Sequence, residues 1–172
     1  MKRRPFPGPC AGCGRPRCRT ARAEGIHALA CTGALCARLG LREDAIRHRR
    51  AVEQALAGPG SEQQPRAQVR ARFILIARLL PWLEPPSSLI TPLLDLYREA
   101  LILGDVDTAA HAAAEFGLLG LIQGGDVHPL RRELQALETA LGAFRRTPGV
   151  ELLRLQGAFL DALSGAGDAA AL

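Results

Sequence analysis

The sequence predicts an all-α chain, and three observations predict it. Its apolar positions recur at helical spacing and are filled by Leu and Ala, with only five Phe, one Trp and one Tyr in 172 residues. No segment alternates apolar and polar residues as a half-buried strand does. Helical patterns are separated by short Gly-Asp or proline-containing breaks, of which Gly104-Asp105 within "LLDLYREALILGDVDTAAHAAAEF" is the clearest.

Residues 1–20 concentrate Pro, Gly and Arg, too few apolar residues to build a core, and read as an irregular basic tail. Residues 21–57 follow as a helical hairpin, with one helix over 21–39 interrupted at Thr32-Gly33 and another over 43–57. The segment 58–65, "GPGSEQQP", has linker composition. A strongly apolar helix, 66–83, carries Phe73, Leu75, Leu79 and Trp82 and is expected at the centre of the fold. "EPPSS" ends it, because proline cannot continue the helical ladder, and Ser88 is expected to cap a helix over 89–103. Gly104 stops that helix and Asp105 caps the next, to about Leu121. "QGGD", 123–126, repeats the device before helices over 127–145 and 149–164, and 165–172 is a tail. The expected domain is therefore 66–164. Its core candidates are Leu79, Trp82, Leu96, Ala100, Ala109, Ala113, Phe116, Leu134, Leu137, Leu141, Leu155 and Phe159.

The Gly-Asp break is a packing device. Glycine accepts a left-handed backbone, aspartate accepts hydrogen bonds from the next helix, and Ala100, Ala109, Ala110 and Ala113 beside the break let the two helices approach closely. A further Gly-Asp pair, Gly167-Asp168, 63 residues after Gly104-Asp105, begins another hairpin that has no second helix. Leu163 and Leu172 are thus candidates for an uncovered, partner-binding end.

The run from Leu79 to Leu141 resembles the tetratricopeptide-like helical-repeat region of large bacterial AAA-type signalling ATPases and kinases. The resemblance covers about 66–164. It rests on Trp82 before a proline-containing bend, Tyr97 and Ala100, Gly104-Asp105 with Ala109 and Ala113, then Gly125, Leu130 and Glu133. It implies an α-solenoid fragment of helical hairpins that binds protein, either the rest of its own array or a partner, in a signalling setting; a cytoplasmic location is expected by default, because the basic start "MKRRPFPGPC" lacks the apolar stretch of a signal peptide. The ATPase itself is not implied, because the chain carries no G-x-x-x-x-G-K-[ST] phosphate loop.

Charge is uneven. Residues 1–50 hold 12 Lys and Arg against 3 Asp and Glu, a net of +9, and residues 51–172 hold 10 against 14, a net of −4. A basic third of this kind suits nucleic acid, although 21 Arg against one Lys is also what a GC-rich gene encodes. The stretch "GALCARLGLREDAIRHRRA", 33–51, is similar to a helix-turn-helix. Leu35 and Leu39 would pack inward, Cys36 would allow close helix contact, Gly40 would make the turn, and Leu41 and Ile46 would seat the second helix. Arg42, Arg47, Arg49 and Arg50, with His48, would face DNA. This alternative reading is a DNA-binding protein, either a small phage-type packaging subunit or a transcriptional regulator, on a helical oligomerising body.

The remaining chemistry is sparse. "PCAGCGRPRC" forms one C-x-x-C knuckle, and Cys10, Cys13, Cys18 and Cys31 (or His27) make the one set that would hold zinc. Cys31 and Cys36, five residues apart, diverge by about 140° on a helix, and free thiols are the simpler expectation. No Gly-x-Ser-x-Gly elbow or H-E-x-x-H motif occurs. His27, His48, His111 and His128 lack a paired acid at catalytic spacing, and Glu133 and Glu138 point in different directions. The expectation is a non-catalytic chain without a small-molecule substrate. No run of about 18 apolar residues predicts a membrane span.

Overall fold

In a computed structural model that describes residues 16–58, 64–144 and 148–165, every regular element is helical. Helix α1 spans Pro16–Arg38, α2 Arg42–Ala57 and α3 Pro65–Ile74. A π turn, Leu75–Leu79, and two 3₁₀ turns, Leu80–Trp82 and Pro86–Leu89, lead to α4, Ile90–Ile102. Helix α5 is Val106–Ile122 and α6 Val127–Leu141, followed by a 3₁₀ turn Gly142–Phe144 and by α7, Pro148–Leu163.

The α1–α2 and α4–α5 hairpins close in the same way. At Gly40 (φ 77°) the Leu41 N–H donates to the Cys36 carbonyl at 2.9 Å, and the Gly40 N–H to Ala37 at 3.1 Å. At Gly104 (φ 66°) the Asp105 N–H donates to Ala100 at 2.9 Å, and the Gly104 N–H to Leu101 at 3.0 Å. This paired arrangement ends a helix by consuming its last carbonyls, and it needs the left-handed residue that glycine supplies without penalty. The turn into α6 adds a side-chain cap, the Asp126 carboxylate accepting the His128 N–H at 2.9 Å.

Asp105 occupies the N-cap of α5 but makes no side-chain cap hydrogen bond there, its carboxylate turning to Arg70 instead, and three expectations about the helices themselves are corrected. First, α1 runs unbroken through Thr32-Gly33 and begins at Pro16, so residues 16–20 are helical. Gly33 is a crossing point: a Cβ there would lie 2.8 Å from His48 Cβ and 2.9 Å from Leu79 Cδ2. Second, the apolar helix after the linker changes character before Pro81. The Leu80 N–H reaches back five residues to Leu75, widening the ladder ahead of a proline whose ring would crowd the carbonyl four residues earlier. Third, Ser88 does not cap α4. Its hydroxyl donates to the Pro85 carbonyl at 2.8 Å, and a 3₁₀ turn delays α4 to Ile90.

The packing runs in succession. α1 lies on α2, α3 and the π turn. α3 meets α4, α4 pairs with α5, and α6 and α7 cover α5 and each other. Buried apolar residues from Ile26 to Leu160 form one continuous core, which therefore crosses the 58–65 linker. The central element is α5, with Ala109, Ala110, Ala112, Ala113, Ala114, Phe116 and Leu119 all buried. Small residues let its neighbours come close. A Cβ on Gly149 of α7 would lie 2.6 Å from the Ala110 carbonyl carbon. Of the core candidates, Leu79, Leu96, Ala100, Ala109, Ala113, Phe116, Leu134 and Leu141 are buried and Leu137 partly so. Trp82, Leu155 and Phe159 are exposed, the first because the π turn rotates it outward and the other two because they lie on the far face of α7.

Candidate interaction surfaces

The arginines of α3 and the π turn are spoken for by the Gly-Asp break and its helices. Arg66 Nε donates to the Leu103 carbonyl at 2.8 Å. Arg70 Nε and Nη2 donate to the Asp105 carboxylate at 2.6 and 3.2 Å, Arg72 pairs with Glu99, and Arg78 pairs with Glu115 at 2.7 Å. Asp105 is 4% exposed. Burial alone would raise its carboxyl, but Arg70, with Thr108, outweighs burial and holds it below the ordinary carboxylate range. Glu115 shows the opposite balance. Burial pushes its carboxyl up, and the charges of Arg78 and His111 only partly offset this. At the other end, the Arg131 guanidinium on α6 forks onto Asp161 of α7 at 2.7 and 2.8 Å, and this hydrogen-bonded pairing lowers the Asp161 carboxyl.

Three of the four helix-turn-helix arginines share one surface, and Arg47 does not line it. Arg42, Arg49 and Arg50 line one shallow cleft of about 330 Å³ with Glu53 and Leu83. Arg49 is held there by Glu53 at 2.8 Å and Glu84 at 2.6 Å, and Arg47 pairs with Asp44. Among the described residues only Arg42 and Arg50 of the four lack a carboxylate partner. The inward packing expected of Leu35, Leu39 and Leu41 is not found, since all three are exposed. The buried stripe of α1 is Ile26, Ala30, Gly33 and Ala34, whose small side chains bring α1 against α2 and the π turn and turn the leucines outward.

The zinc set is only partly in view. Cys10 and Cys13 lie outside the described residues, as does the side chain of Cys18. Cys31 is exposed on α1 and Cys36 is half-buried, and both are free thiols. Among the described residues no three His, Cys, Asp or Glu side chains converge. The His111 ring sits tilted beside Phe73, with centroids 6.1 Å apart, and its Nδ1 lies 2.7 Å from the Asp107 carbonyl.

Two open apolar surfaces stand out among the described residues. The first is the outer stripe of α7. Leu152, Leu155, Phe159 and Leu163 recur at steps of three, four and four residues on one face, while Val150, Leu153, Gly157 and Leu160 fill the opposite, buried face. Leu155 is 65% exposed and Leu163 57%. The sequence placed Leu163 on an uncovered end, whereas Leu172 lies outside the described residues. The second is a groove of about 470 Å³ between α1 and the chain after α3. Cys31, Ala34, Leu35 and Arg38 line it from α1, and Ile74, Ala77, Arg78 and Trp82, the last 54% exposed, line it from the other side. Sequence reasoning missed this groove because it assigned Trp82 to the core and Leu35 to the hairpin interior. The signal present was Pro81, which marks an irregular turn without giving its direction.

The chain matches no family model, no curated protein and no solved structure. Among the described residues, no helix is long and apolar enough to cross a membrane.

Proposed function

We propose that the chain is a non-catalytic, cytoplasmic helical scaffold that binds protein, of the kind its resemblance to the helical-repeat regions of bacterial signalling ATPases implies. The observation that carries this reading is the α7 stripe. Leu152, Leu155, Phe159 and Leu163 repeat the spacing with which the other helices meet their neighbours, yet no helix covers them among the described residues. An amphipathic helix whose second apolar face is left open is how a stacked helical array ends where a further helix is meant to pack. The pairing of Arg47 with Asp44 and of Arg49 with Glu53 and Glu84 also supports it, because it leaves less of the basic charge of α2 for nucleic acid.

The test is an apolar fluorescent dye titrated onto the full chain and onto Leu155→Asp. The reading expects dye binding that the substitution largely removes, with the unfolding free energy unchanged within about 0.5 kcal/mol, as for other exposed positions. Dye binding that is absent, or indifferent to the substitution, would contradict it.

A further inference from the structure

We infer that Arg78 is an acid-released latch: it ties the π turn to α5 through Glu115, and proton uptake at Glu115 frees it to the groove that it shares with Trp82. The inference goes beyond the interaction reading and does not depend on what occupies that groove.

The pair is asymmetric. Arg78 meets Glu115 through one contact, Nη1 to Oε1 at 2.7 Å, and the carboxylate side chain is 12% exposed while the arginine side chain is 50% exposed. Two other pairs between elements show the contrast. Arg70 places two nitrogens on Asp105, with Thr108 beside it, and Arg131 forks onto Asp161 through two nitrogens; both carboxyls are held below their ordinary range. At Glu115 burial wins instead and the carboxyl is pushed up. The charges that act on it, from the elements packed around α5, are Arg78 of the π turn and His111 one turn earlier on α5 itself. A buried carboxylate with few donors takes up a proton more readily than one with several. Its partner, half in water, loses little on letting go.

The position of the latch gives the proton a structural consequence. Arg78 is the fourth residue of the π turn Leu75–Leu79, and Trp82 lies four residues further on; both line the groove of about 470 Å³. The Arg78 guanidinium carbon sits 6.0 Å from the centroid of the Phe73 ring, which in turn lies against His111. One side chain thus joins the last turn of α3, the π turn and α5. The segment it pins is the widened ladder in which the Leu80 N–H reaches back to Leu75, a less regular backbone than the helix before it. With Glu115 ionised, Arg78 is drawn onto α5. With Glu115 neutral, the guanidinium turns to water and to the groove, and its charge is set beside the indole.

Trp82 is the single tryptophan, so its emission reads the groove. The full chain is titrated from neutral pH downward, with far-UV circular dichroism on the same samples to mark where helix is lost. Wild type is expected to show one emission transition with a midpoint above 4.5, the ordinary glutamate value, while the helix signal stays constant. Glu115→Gln is expected to lose the transition and to match the acid form of wild type already at neutral pH. Arg78→Gln should lose it as well, because the arm is gone. Wild-type emission that stays constant for as long as the helix signal does overturns the inference. A transition that persists in Glu115→Gln overturns it by assigning the titration to another group, His111 first. A transition lost in Glu115→Gln but kept in Arg78→Gln overturns Arg78 as the moving arm.

Discussion

Gly149 has no room for a side chain, and the atoms that exclude one are backbone. Gly149→Ala would drive a methyl against the Ala110 carbonyl carbon at 2.6 Å and the His111 amide at 2.7 Å. The expected loss is at the upper end of overpacking costs, about 3 kcal/mol. Gly33→Ala should cost less, because its neighbours are the side chains of His48 and Leu79, which can shift. Urea unfolding of the two variants side by side checks the order. Glu115 gives a pH-dependent counterpart. Its carboxyl is raised by burial, so the folded state binds the proton more readily than the unfolded chain, whose ordinary value is 4.5. That group therefore adds stability as pH falls through the raised value, and the gain is complete below 4.5. Glu115→Gln removes the effect, so wild type should gain on the variant with acidification. A stability difference independent of pH would contradict this. Asp105 works in the opposite sense. Its depressed carboxyl contributes above its ordinary value of 3.8, and that contribution is lost as pH falls below it.

At the scale of elements, the Gly-Asp break is a joint between two helices clamped by a third. Arg70 of α3 is 59% exposed in its side chain while Asp105 is 2% exposed. Removing the arginine strands a buried carboxylate. Replacing the aspartate by asparagine keeps the N-cap position and frees a guanidinium that water can solvate. Arg70→Ala should therefore destabilise more than Asp105→Asn, by thermal unfolding at neutral pH. The reverse order would mean that Arg70 is not what the buried Asp105 carboxylate depends on. Much of this was legible in the sequence. Gly40, Gly104 and Asp126 announce their turns because left-handed backbone and N-caps admit few residue types. The apolar spacing of α4, α5 and α6 places Leu96, Ala100, Ala109, Phe116 and Leu134 correctly in the core. What was not legible depends on tertiary contact. Gly33 looks like a helix breaker until α2 and the π turn are seen against it. The direction of Trp82 depends on a one-residue widening of the ladder before Pro81. Leu155 and Phe159 have the same spacing as core residues, and periodicity alone does not say whether a helix has a neighbour on each apolar face.

The whole molecule is a succession of helices with a basic beginning, an acidic remainder and an apolar surface toward each end. That arrangement separates the two functional readings. A DNA-binding head would lean on Arg42, Arg47, Arg49 and Arg50, two of which are held by carboxylates of the same fold. Binding through the unpaired Arg42 and Arg50 alone predicts a shallow salt dependence, a slope near −2 for about two phosphate contacts, against a steep one for the full set. A filter-binding series across salt concentrations reads this directly. An interaction scaffold instead leans on Leu155, Phe159 and the groove around Trp82. The most direct measurement is amide hydrogen exchange on the full chain with and without an apolar dye, and with and without duplex DNA. The account predicts that the dye adds protection in α7, while DNA leaves α2 unchanged. Protection of α2 by DNA, with α7 indifferent to the dye, would contradict it.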